Sequence, residues 1–173
     1  MKFIVITTLL FSYVFANISL PKNFSTKFRQ TVTNTKKKQI RYRGSLSFVS
    51  PNKFKWSYKA PTKKEVCTDG RTLLVVDHDL EQVSKYILKR GLNISKIVSR
   101  AKIYKQNIYL AKYENKNYTI VVDSKKRLKS IGYLDDLDNT VNIFFDNMSY
   151  NKKRISKKMM RCKYPKNYDY IRG

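Results

Sequence analysis

The feature that most constrains the fold of this chain is an alternation of apolar and polar residues with a period of two. Between 40 and 48, Ile40, Tyr42, Leu46 and Phe48 alternate with Arg41, Arg43, Ser45 and Ser47. Phe54, Trp56 and Tyr58 alternate with Lys55 and Ser57, and Val141, Ile143 and Phe145 with Asn142 and Phe144. Tyr118, Ile120 and Val122 keep the same rhythm around Thr119 and Val121. Successive side chains of a strand point to opposite faces, so the pattern predicts an antiparallel sheet with one apolar face. Turn residues punctuate it at matching intervals: Pro51-Asn52, Pro61, Asp69-Gly70, Asn115-Lys116-Asn117, Ser124-Lys125-Lys126 and Asp138-Asn139. Leu73 to Val76 is a continuous apolar run, which predicts a strand covered on both faces.

Two segments carry a helical spacing instead. Phe24, Phe28 and Val32 recur every four residues and predict a helix over 23–35, with Asn23 or Ser25 as N-cap. Ile94, Ile97, Val98 and Ala101 form an i, i+3, i+4, i+7 stripe over 94–102, with Asn93 as cap. Both helices are short and one-sided, so they need another element to lie on. The chain thus reads as mainly β (α+β), with roughly ten short strands in a meander and two helices. Such a sheet is strongly curved or an incomplete barrel, with the helices lidding its concave side. A flat sheet with both helices on one face would give the same pattern.

The first sixteen residues read as a leader: Lys2, an apolar stretch from Phe3 to Phe15, then Val14-Phe15-Ala16 with cleavage after Ala16. Residues 17–173 form one domain. No Cys precedes Cys67, so the exported chain is expected to carry no lipid anchor of its own. The net charge of +25 suits anionic lipid or acidic proteins, but the Lys and Arg are dispersed and a leader argues against nucleic acid. Cys67 and Cys162 are too few for a disulfide scaffold or a metal site. In an oxidising compartment they could pair, and the sequence leaves that open.

Little here supports catalysis. The one histidine, His78, lies in Val76-Asp77-His78-Asp79-Leu80. Consecutive strand positions face opposite ways, so these side chains do not easily converge, and a polar turn is the simpler reading. Asp135, Asp136 and Asp138 read as a solvated hairpin end. There is no Gly-rich phosphate loop, nucleophile elbow or zinc-spaced cluster, so no catalytic residue, metal or cofactor is assigned. What the chain has in excess is aromatic residues, thirteen Tyr, nine Phe and one Trp. An apolar concave face with too little cover invites an apolar ligand.

Taken in order, several short motifs resemble the LolA family of lipoprotein carriers. Phe28-Arg29-Gln30 resembles its F-x-Q at the end of the first helix. Gly44, Leu46, Phe48, Pro51, Phe54, Trp56, Tyr58 and Pro61 resemble its G-x-L-x-F…P-x-x-F-x-W-x-Y-x-x-P core. Lys64, Asp69-Gly70, Leu73 and Leu80-Glu81-Gln82-Val83 follow in register, and Tyr164-Pro165-Lys166 to Tyr170-Ile171 resembles the closing pattern. The match is dense from Phe24 to Val83 and thinner beyond.

The resemblance implies an unclosed β-barrel lidded by helices, holding acyl chains in an apolar interior, with no catalytic activity. It implies a monomeric periplasmic chaperone. That chaperone takes acylated lipoproteins from an inner-membrane LolCDE-type ABC complex and passes them to an outer-membrane LolB-like receptor where one exists. Phe54 and Trp56 match cavity-lining aromatics, with Leu46 and Phe48 on the same strand face. The strand pattern adds Tyr58, Val76, Ile120, Val122, Ile143 and Phe145 to the expected lipid-binding cavity. Ile97 and Val98 match the lid, which is expected to include Ile94, Phe24 and Phe28. Many family members carry Arg before the first core Pro, bonded across to the lid; here that position is Ser50, so a looser lid is expected. Two other readings are open: a periplasmic LolA-like domain that senses a lipid or lipoprotein, and a cationic protein that binds anionic lipid surfaces.

Overall fold

The computed structural model describes residues 18, 20–88, 93–151 and 155–173; the expected leader, 1–16, lies outside them. The strands are β1 (Asn23–Thr33), β2 (Gln39–Val49), β3 (Lys53–Ala60), β4 (Lys64–Thr68), β5 (Thr72–Asp77) and β6 (Gln82–Ile87). After helix α1 (Ile94–Ser99) come β7 (Lys102–Lys105), β8 (Ile108–Tyr113), β9 (Lys116–Val122), β10 (Leu128–Leu134), β11 (Thr140–Tyr150) and β12 (Asp169–Arg172). They form one sheet in the order β12-β6-β5-β4-β3-β2-β1-β11-β10-β9-β8-β7, which leaves β12 and β7 as open edges. The architecture is the expected one, an unclosed curved sheet made mostly of hairpins.

The helix expected over 23–35 is instead β1, the central strand, paired with β2 along one side and β11 along the other. A four-residue spacing is even, so Phe24, Phe28 and Val32 satisfy a strand's period of two as well as a helix's stripe. The pairing with β2 and β11 decides between them, and Thr26 shows the outcome. It is buried on the same face, its hydroxyl donating to the Lys27 and Asp146 carbonyls. The β-branched run Thr31-Val32-Thr33 also favours the strand. Phe24 and Phe28 therefore belong to the sheet rather than to a lid. Phe28-Arg29-Gln30 lies in the middle of β1, not at the end of a helix.

Residues paired across strands share a face, and the register separates the two faces. Phe24, Phe48 and Phe54 line up on one side, as do Leu46, Trp56, Val66 and Val75. This is the concave side, where the large apolar cluster sits. On the convex side lie Lys55, Cys67 and Leu74, then Ser57, Glu65, Val76 and Val83. Val76 was expected in the cavity, but it is buried on this opposite face.

Residues 155–168, between β11 and β12, lie over the convex face. They lead to the edge of the sheet, where β12 joins β6 as the one parallel pair among the described residues. On the way the Lys55 ammonium donates to the Arg161 carbonyl and the Lys163 N–H to the Glu65 carboxylate. A disulfide joins Cys67 to Cys162. Cys67 stands on β4, whereas Cys162 lies in the irregular crossing segment.

Candidate functional site

The concave face concentrates the aromatic residues. The Phe28 ring meets Trp56 edge-on at 4.8 Å and Tyr58 at 5.1 Å, while Phe24 stacks on Phe48 at 5.0 Å. Gly44 makes the Phe28 position possible, because a Cβ there would strike the Ser57 carbonyl and come within 2.9 Å of that ring. Trp56 reaches Phe145 across β2 and β1 at 6.5 Å. Of the expected cavity residues, Leu46, Phe48, Phe54, Trp56, Ile120, Val122, Ile143 and Phe145 all lie on this face, none more than 7% exposed. Tyr58 is half-buried beside them, its hydroxyl donating to Gln30 Oε1 at 3.1 Å.

Helix α1 closes the face. Asn93 caps it by accepting the Lys96 N–H at 2.9 Å, and Ile94, Ile97 and Val98 point into the apolar cluster. These are the lid residues expected from the stripe, now on the single helix among the described residues. Among the described residues Ser50 has no hydrogen bond to α1; its N–H donates to the Lys22 carbonyl. The tie runs the other way, from the Ser95 hydroxyl on α1 to the carbonyl of Pro51 at 3.0 Å.

Several members of the face were missed. Ile18 and Leu20, ahead of β1, pack on the cluster, and so do Tyr109, Ala111 and Tyr113 of β8. The β8 set alternates with Leu110 and Lys112, so its period-two signal was available. Towards β12 the cover thins. Val66, Leu73 and Val75 are half-buried, and Tyr86 and Ile171 on the same face are 43% and 46% exposed. The site is thus an apolar trough, covered by a six-residue helix that packs beside β8 and open along one flank.

Ionisable groups are marginal to the trough. Burial pushes the Tyr133 phenol up to about 12 and raises Tyr58 as well. His78 lies in the turn after β5, with Nδ1 3.2 Å from the Tyr168 hydroxyl. Burial acts to raise Asp77, but the bond from Lys64 and the N–H groups of Leu80 and Asp79 outweigh it and hold the carboxyl below its usual range. Asp135 accepts N–H bonds from Leu137 and Asn139 within the β10–β11 turn. Glu65 lies within 4.8 Å of both sulfurs, yet those sulfurs are bonded to each other and the carboxylate is held by Lys55.

Residues 20–106 match the family described as outer membrane lipoprotein carrier protein LolA. An outer-membrane lipoprotein carrier protein of Campylobacter jejuni is 35% identical over 86% of this chain and 86% of its own length. One of Helicobacter hepaticus is 25% identical over 92% of this chain and 89% of its own. A conserved protein of Thermus thermophilus shares the fold, with a TM-score of 0.56 at 8% identity, covering 89% of this chain and 92% of that one. With half of the chain matched by the family and most of it aligned to such a carrier, the chain belongs to the LolA family of outer membrane lipoprotein carriers.

Proposed function

We propose that this protein is a periplasmic chaperone that takes up the acyl chains of lipoproteins on its concave face and carries them to the outer membrane. The observation behind this reading is the trough itself, a continuous aromatic and aliphatic surface closed by one short helix. A long acyl chain of about 15 carbons holds to a membrane with roughly 12 kcal/mol, at about 0.8 kcal/mol per buried CH₂. A soluble carrier has to replace most of that burial and still let go. Rings such as Trp56 and Phe54 supply large apolar area with few rotatable bonds. In this reading α1 lifts, and the chains slide in along the open flank past Val75 and Tyr86. An inner-membrane LolCDE-type ABC complex supplies the cargo, and a LolB-like receptor accepts it where one exists. The exported form begins at Asn17, after removal of the leader, and acts as a single-domain monomer.

The test is to add that form to spheroplasts loaded with a tagged triacylated lipoprotein. ATP-dependent appearance of the lipoprotein in a soluble one-to-one complex is expected. Tyr86→Glu, on the exposed flank, and Phe54→Glu, in the trough, should both reduce it, with far-UV circular dichroism confirming the fold. A folded protein that releases nothing in the presence of the matching ABC complex would overturn the reading.

A further inference from the structure

The convex face carries a cavity, about 1290 Å3 in volume, between the strands and the C-terminal crossing segment. Val49, Leu74, Ile155 and Met160 give it an apolar floor beside the Cys67–Cys162 bridge. Its rim is cationic: Lys22, Lys53, Lys157 and Arg161 are all exposed and, among the described residues, none is in an ion pair. The one acidic residue in the lining, Asp69, is turned to other use. Its Oδ1 accepts the N–H groups of Thr72 and Arg71, bonds that hold its carboxyl below the usual range.

Asp69 also feels the Lys53 charge, yet four cations face this one carboxylate, and the excess around a low-dielectric floor concentrates positive potential in a concave space. The complementary ligand carries carboxylates for the rim and apolar side chains for the floor. A groove admits a chain, whereas a flat anionic bilayer meets protruding side chains and cannot reach the floor. The chain's own N-terminal stretch does not suit, because residues 1–22 contain no Asp or Glu. We propose that this groove binds an acidic segment of a partner polypeptide, its carboxylates on Lys53, Lys157 and Arg161 and its apolar side chains on Leu74 and Met160. The site is independent of the acyl-chain trough, but it shares a turn with the lid. Ser50 and Lys53 line the groove, while Pro51 between them accepts the Ser95 hydroxyl of α1.

Fluorescence anisotropy of the mature chain with a short fluorescein-labelled peptide of alternating glutamate and leucine tests this. Two charge-matched double variants are compared, Lys53→Glu with Arg161→Glu in the groove, and Lys36→Glu with Lys37→Glu at the exposed β1–β2 turn. Binding to the groove variant should weaken by about tenfold more than to the turn variant, as expected for lost charge-assisted bonds. The same peptide with lysine for glutamate should not bind. Equal weakening in both variants, or none, overturns the proposal. So does a groove-specific loss of binding to phosphatidylglycerol vesicles without loss of peptide binding, which would make the occupant a membrane. Concentration-dependent self-association abolished by the groove variant would assign the site to a second copy and would equally overturn it.

Discussion

At Gly44 the strand passes beneath the Phe28 ring with no room for a Cβ. Gly44→Ala should therefore destabilise the protein by about 1–3 kcal/mol, the usual cost of overpacking, seen as a lower denaturant midpoint. The need is steric, and the sequence shows only a glycine inside an otherwise alternating strand. Tyr133 gives a second prediction, in pH. Its folded value of about 12 stands above the ordinary 10, so the unfolded chain loses this proton first. The contribution to stability is complete below pH 10 and falls away as the pH climbs towards 12. Tyr133→Phe should flatten that alkaline loss in melting temperatures measured across the range. Burial is the main cause of the shift, and burial is what no spacing of tyrosines could display in advance.

Among the described residues, helix α1 is held to the rest of the molecule by its three apolar residues, the Ser95–Pro51 hydrogen bond and its C-cap Arg100 over the Tyr113 ring. Ser95→Ala should loosen it by about 1 kcal/mol, the net worth of such a bond, read as faster amide exchange at Ile97 and Val98. Ser50→Arg tests the complementary expectation and should slow lipoprotein release. Unchanged release would overturn the expectation of a looser lid. The elements also show how far the sequence was legible. Strands β2, β3, β9 and β11, each with one apolar face, were read to within a few residues at their starts, and α1 with its Asn93 cap was read almost whole. Strand β1 was misassigned because an even spacing of phenylalanines serves two periodicities, and only its neighbours β2 and β11 settle which applies. Val76 went to the wrong face because a continuous apolar run carries no phase. The run in β5 is continuous for a reason the sequence could not locate, namely the C-terminal segment lying across the convex side.

On the scale of the molecule, the Cys67–Cys162 bond fixes that segment across a sequence separation of 95 residues. Closing a loop of this size is worth about 4–5 kcal/mol in the chain-entropy account. Cys67→Ser with Cys162→Ser should therefore lower the midpoint of unfolding and raise amide exchange in β12, with a smaller effect on β8 to β10. The trough has a different consequence. At its centre Phe48, Leu46 and Ile120 are already fully buried against the protein's own side chains. For the acyl chain proposed as cargo, binding is then an exchange of one apolar partner for another rather than the filling of a void. The apparent affinity is the intrinsic one scaled by the fraction of molecules whose helix has lifted, so each 1.4 kcal/mol of closure weakens the hold tenfold. In the proposed reading the lid would act as a resident competitor at a fixed effective concentration, pressing the cargo out wherever a better apolar surface is within reach.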